Sequence, residues 1–185
     1  LTGCESRITV DRAIPFIRKS VEAKKPFFAV IWFHAPHGPV VAGPEYRAMY
    51  SQYGKKKQNY YGCITALDDQ VGRLSAELKA LGADQNTMLW FCSDNGPEGG
   101  QKGVGSTGGL RGRKRSLFSG GVGVPGFLHW PGQAEAGRVV DMPCSTLDYL
   151  PTIFDVACAE MPDERPLDGI SLLPMIREHL EERSK

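Results

Sequence analysis

The segment TMLWFCSDNG, residues 87–96, decides the fold. Its first six residues are largely apolar and end in polar turn chemistry, so they read as a buried strand with Ser93, Asp94, Asn95 and Gly96 leaving its carboxyl end. Upstream, Tyr60, Ile64, Leu67, Val71, Leu74, Leu78 and Leu81 step by four and three, which predicts a long amphipathic helix stopped by Gly82. PFFAVIWF (26–33) is apolar throughout, as a strand covered on both faces would be. Residues 8–23 place Ile14, Ile17 and Val21 at helical spacing and predict a surface helix, with Pro15 limiting the regularity of its first turns. Downstream, VPGFLHW (124–130) reads as a third strand and STLDYLPTIFDVA (145–157) as a helix capped by Ser145 or Thr146. Strands alternating with helices argue an α/β fold with a parallel-rich sheet flanked by helices, where ligands gather at the carboxyl ends of strands.

Composition narrows the function. The chain has 185 residues, 41% hydrophobic and 23% charged, with a mean hydropathy of -0.28, which excludes collagen, disorder and coiled coil. With 22 basic against 21 acidic residues there is no global field to draw in nucleic acid or a membrane surface, so any electrostatic specialisation is local. The stretch 26–33 is far too short to span a bilayer. No secretory signal opens the chain, yet Leu1 is not an initiator Met, so the compartment is not read from these residues. The five cysteines are an odd number without a C-x-x-C pair, neither a zinc cluster nor a disulfide framework.

Three constellations carry chemistry. Asp94 and Asn95 offer a carboxylate and an amide oxygen, donors suited to calcium or magnesium, although D-N-G is also ordinary turn chemistry. Between Glu98 and Glu135 there is no acid, while Lys102, Arg111, Arg113, Lys114 and Arg115 fall in that window. A positive loop beside a cation site suits an oxyanion held by both, and residues 99–115 hold no aromatic side chain on which a nucleic-acid base could stack. Eleven of the 22 glycines lie within residues 99–126, a functional loop rather than an idle one. HAPHGP (34–39) places His37 between prolines, where it can bind an anionic oxygen or protonate a leaving group, while His34, His129 and His179 read as structural. GVGSTG (103–108) matches G-x-G-x-x-G without the strand and helix that a dinucleotide site needs, and RGRKRS lacks the order of a P-loop.

In this order, PFFAVIWFHAPHGP, YYGCITALDDQVGRLSAELKALG, TMLWFCSDNG, GSTGGLRGRKRSLFSGGVGVPGFLHWPG, STLDYLPTIFDVA and LDGISLLPMI resemble the sulfatase family of the alkaline phosphatase superfamily, over nearly all of residues 8–176. The resemblance implies an alkaline-phosphatase-like fold, incomplete on its N-terminal side, with residues 1–176 the carboxyl part of a catalytic domain and 177–185 a charged tail or linker. It implies that Asp94 and Asn95 ligate Ca2+, with Mg2+ as the alternative, and that Asp94 helps deprotonate the hydrated aldehyde nucleophile. It implies that Lys114 and His37 bind the sulfate group and assist the departing alcohol. The partner implied is a sulfate ester, a sulfated glycan or aryl ester, with no nucleic acid and no membrane, and the compartment periplasmic, secreted or lysosomal.

Two departures qualify the resemblance. Where the family reads E-G-G-x-R, this chain has Ser119, Gly120, Gly121, Val122 and Gly123. The family's C-x-P-S-R motif, whose cysteine becomes formylglycine, is absent, since Cys4-Glu5-Ser6-Arg7 lacks the proline and is one residue short. The nucleophile is therefore expected upstream of this chain. The rival readings are a phosphonate or phosphodiester hydrolase of the same superfamily and a non-catalytic domain that binds sulfated glycans.

Overall fold

The computed structural model of the chain describes residues 4–99, 103–178, 180 and 182–183. Lys102, His179 and part of the charged tail lie outside the described residues. In chain order the elements are helices α1 (Glu5–Glu22), α2 (Pro44–Ala48) and α3 (Lys55–Ala80), strand β1 (Leu89–Cys92), the single-turn α4 (Ser119–Val122), strand β2 (Gly126–His129), α5 (Tyr149–Ala157) and α6 (Leu173–Glu178). They fall into two compact units, Leu1–Gln85 with Trp90–Phe127, and Asn86–Leu89 with Leu128–Lys185.

The core of the first unit is helical. α1 buries Val10, Ile14 and Ile17 at spacings of four and three, and it starts three residues earlier than the sequence predicts. It runs through Pro15, which lies on the exposed side, where the carbonyl that loses its amide partner can turn to water. α3 stops as predicted: Gly82 takes φ 65, its N–H donates to Lys79 O at 3.0 Å and Ala83 N–H donates to Leu78 O at 2.9 Å. Its buried face, however, is Gly62, Ala66, Gln70, Leu74 and Leu78, while Ile64 is 39% exposed. The reason is close packing: a Cβ on Gly62 would sit 2.9 Å from the Ala42 Cβ and 3.0 Å from the Tyr46 backbone, so small residues face α2 and the larger ones flank the contact. Arg18 grips the Glu77 carboxylate at 2.6 and 2.8 Å, and Arg73 meets Asp11 at 2.7 Å, fastening α1 to α3.

The strands differ from the expectation of a covered parallel layer. β1 and β2 form a two-stranded sheet. Phe91 stacks on Phe127 at 5.1 Å and Ser93 N–H donates to Pro125 O at 3.2 Å, a register that runs antiparallel. The 33-residue connection is glycine-rich loop rather than a crossover helix, so it returns the chain in the opposite sense. β1 is half-buried and Phe127 is 50% exposed, because among the described residues no second layer covers them. Residues 26–33 form no ladder at all. Phe28, Val30 and Trp32 point alternately to solvent at 66, 60 and 84% exposure, since among the described residues no neighbouring strand pairs with them.

In the second unit, Ser145 is the cap of the α5 segment: its Oγ accepts from Leu147 N–H while the Asp148 carboxylate accepts from Ser145 N–H at 2.7 Å. Asp148, fully buried, also accepts from Ile170 N–H at 3.0 Å and from both Nη atoms of Arg183 at 2.7 and 2.8 Å. Thr152 Oγ1 donates to Asp148 O and accepts from Leu172 N–H, which seats the buried Leu172. The charged tail is thus anchored at Arg183, and α6 continues past residue 176 to Glu178.

Candidate functional site

β1 ends at Cys92, and the turn that follows is fixed by backbone bonds. Gly96 N–H donates to Gly121 O at 2.8 Å, Gly120 N–H to Arg111 O at 2.7 Å, and Lys114 N–H to Pro97 O at 3.2 Å. These bonds tie the glycine-rich loop to the strand end that carries Asp94 and Asn95. The approach needs glycine: a Cβ on Gly96 would overlap Gly120 O, and one on Gly120 would overlap the carbonyls of residues 110–112. The one-turn helix α4, in a stretch whose glycine content argued against any regular element, places Gly120 and Gly121 in this contact, both buried.

Asp94 is exposed and Asn95 half-buried. Asn95 Nδ2 donates to Gly96 O at 3.0 Å, so its amide nitrogen is taken and its oxygen remains for a ligand. One carboxylate and one amide oxygen fit a hard cation such as calcium and suit soft metals poorly. They supply two of the six to eight oxygens such an ion takes. Among the described residues no group of three or more His, Cys, Asp or Glu side chains gathers to complete it.

The basic loop is not a uniform positive field. The Arg111 guanidinium lies 3.7 Å over the Phe118 ring, Arg113 Nη2 donates to Gly105 O, and Arg115 Nη1 contacts both Glu98 oxygens at 2.5 and 2.7 Å. Arg115 sits at φ 73, a left-handed conformation rare for a residue with a side chain. Its bond and charge, together with the charge of Lys114, hold the Glu98 carboxyl below the usual range. The arginines therefore brace the loop. The Lys114 side chain, half-buried, enters no hydrogen bond or ion pair among the described residues. Glu98 is the residue that sequence reading missed: an acid bounding an acid-free window carries no sign of its partner Arg115 seventeen positions on. Behind them Tyr60 is half-buried, and burial raises its phenol above the usual value while Arg113 opposes the rise.

His37 makes its described contacts within its own turn. Its N–H donates to His34 O at 2.8 Å, the two rings lie 5.0 Å apart, and ring nitrogens of both face Gly38 O, His37 Nδ1 at 3.0 Å and His34 Nε2 at 3.3 Å. A carbonyl only accepts, so each of those nitrogens carries a hydrogen and His37 Nε2 is left for another partner. His34, held by its backbone N–H to Glu5 at 3.2 Å, is exposed rather than tucked under the loop. His129 is an exposed member of β2. The backbone thus holds the Lys114 segment against Pro97, three residues beyond Asp94, whereas no described contact joins His37 to this turn. No helix of the described residues is long and apolar enough to cross a membrane.

The family model named Sulfatase matches residues 2–159. The chain is 34% identical to the mouse (Mus musculus) steryl-sulfatase over 184 residues, 95% of this chain and 28% of that protein. It is 32% identical to the rat (Rattus norvegicus) N-acetylgalactosamine-6-sulfatase over 96% of this chain and 34% of that protein. Among solved structures, that of Ps i-CgsB in complex with k-i-k-neocarrahexaose superposes with a TM-score of 0.86 at 34% identity, covering 92% of this chain and 38% of that one. The chain spans about a third of the length of the relatives it matches.

Proposed function

Because this chain belongs to the sulfatase family and shares its alkaline-phosphatase-like fold, we propose that it forms the anion-binding part of a sulfuric ester hydrolase. Residues 1–176 would be the carboxyl part of the catalytic domain, with 177–185 as its tail. The observation that carries the reading is the Lys114 N–H to Pro97 O bond, which holds the loop of Lys114 against the strand end of Asp94 and Asn95. The relatives described above are sulfatases, which supports a sulfuric rather than a phosphoric ester. A relative acting on N-acetylgalactosamine 6-sulfate and another solved with a hexaose support a carbohydrate substrate.

In this reading the Lys114 ammonium binds the sulfate group and stabilises the charge that develops on it. His37, carrying a hydrogen on each ring nitrogen, donates from Nε2 to the sulfate and passes that proton to the departing alcohol. Asp94 and Asn95 would hold a calcium ion, magnesium being the alternative, which when bound polarises the sulfuryl oxygens. Asp94 would also take a proton from the nucleophile, a formylglycine hydrate contributed from outside these residues.

Lys114→Ala in the intact enzyme is expected to lower turnover of 4-nitrophenyl sulfate by about 10²- to 10³-fold, the value of one preorganised donor. Its thermal midpoint should stay unchanged, since this side chain has no bond to lose among the described residues. Near-normal turnover would overturn the assignment. A wild-type enzyme that cleaves the matching phosphate ester faster than the sulfate would overturn the reaction class.

A further inference from the structure

A second basic segment lies outside the site just described. Residues 46–67 contain no acid, yet they carry Arg47 and the run Lys55, Lys56, Lys57. These three lysines line an open concavity of about 710 Å³ with Tyr53, and Gly103 and Val104 also line it. Those two residues belong to the same acid-free loop that presents Lys114. A second hollow of about 270 Å³ shares Gln52 and Tyr53 with the first and is walled by Tyr50 and Tyr61. The rings of Tyr50 and Tyr53 each stand 5.4 Å from that of Tyr61, and Lys57 Nζ lies 5.5 Å over Tyr53. Tyr53 is 41% exposed, so part of this aromatic wall is open to a ligand.

Lysine ammoniums are strongly hydrated point charges that pair with sulfate or phosphate groups. Aromatic faces next to them take flat apolar surfaces such as the C–H face of a pyranose ring. Resting on the sulfuric ester reading of the Lys114 site, the geometry points to a subsite at Lys55–Lys57 and Tyr53 for a second sulfate group, carried by a sugar residue flanking the one whose ester is cleaved. The substrate is then a multiply sulfated oligosaccharide rather than a monosulfated aryl or sterol ester. Single-stranded nucleic acid would also use lysines beside tyrosines. The glycan is favoured because the concavity shares its wall with the loop of the proposed sulfate site.

The test titrates the 185-residue chain by calorimetry with a hexasulfated tetrasaccharide, a monosulfated disaccharide and an oligonucleotide of six phosphates. Lys55→Gln, Lys56→Gln and Lys57→Gln combined should weaken tetrasaccharide affinity tenfold or more and flatten its salt dependence, with monosulfated binding unchanged. The corresponding triple arginine variant should retain the affinity, which separates loss of charge from loss of fold. Lys114→Ala should instead weaken the monosulfated ligand. If Lys114→Ala has no effect while the triple glutamine variant does, the Lys114 reading fails and the subsite stands. Wild-type tetrasaccharide affinity in the triple glutamine variant, no binding by the wild-type chain, or equal binding of the oligonucleotide would overturn the subsite.

Discussion

Gly96 shows how a single residue sets the site. Its side chain would have to occupy the volume of Gly120 O, and its N–H donates to Gly121 O, so the turn after Asp94 and Asn95 can form only without a Cβ. Gly96→Ala is expected to destabilise the chain by roughly 1 to 3 kcal/mol, the usual cost of overpacking a tight contact. Urea denaturation measures it, and a variant as stable as the parent would mean that the loop does not pack here. The sequence marked Asp94, Asn95 and Gly96 correctly as a strand end, because polar turn chemistry after an apolar run is a local signal. It did not show that the carbonyl demanding glycine lies 24 positions away. For the same reason the five basic side chains of the window read as one positive field, whereas Arg111, Arg113 and Arg115 are engaged with Phe118, Gly105 and Glu98.

At the scale of elements, the segment leading into α5 carries a pH-dependent lock. The Arg183 guanidinium, with the N–H groups of Ile170 and Ser145, lowers the Asp148 carboxyl to about 2 from an ordinary value of 3.8, against the opposing effect of burial. A depressed carboxyl contributes stability that is present above the ordinary value and is lost as pH falls through the folded one. The contribution, about 2 kcal/mol, should therefore disappear between pH 4 and pH 2. Thermal midpoints recorded over that range should drop more steeply for the parent than for Asp148→Asn. Parallel slopes would remove Asp148 as the titrating group. In α3 the periodicity from Tyr60 predicts a long helix and its stop at Gly82, but neither its start at Lys55 nor its buried face, which the close approach of Ala42 and Tyr46 turns toward Gly62 and Ala66.

For the whole molecule, residues 26–33 are the clearest case of a sequence signal that the described structure does not satisfy. Trp32, at 84% exposure, has no packing to lose, so Trp32→Lys in the 185-residue chain should raise solubility and reduce dye binding to apolar surface without lowering the melting temperature. The same substitution in the intact protein should lower it if the strand is covered there, and a fall in the isolated chain would show that Trp32 is packed within these residues. Local patterns in the sequence suffice for α1, the long helix α3 and its stop, β1 and β2 as strands, α5 with its Ser145 cap, the strand end with its two oxygen donors, and the family. Each of these is written in residues close along the chain, where periodicity, caps and turns act through local sterics and hydrogen bonds. The antiparallel pairing of β1 with β2, the buried face of α3, the bracing of the loop around Lys114 and the anchoring of Arg183 on Asp148 arise with the folded chain. The strand pairing, the packing of Gly62 on Ala42 and Tyr46, the Arg115–Glu98 contact and the Arg183–Asp148 contact join residues 16 to 36 positions apart, and which groups meet is set by the packing of whole elements rather than by the pattern of any one of them.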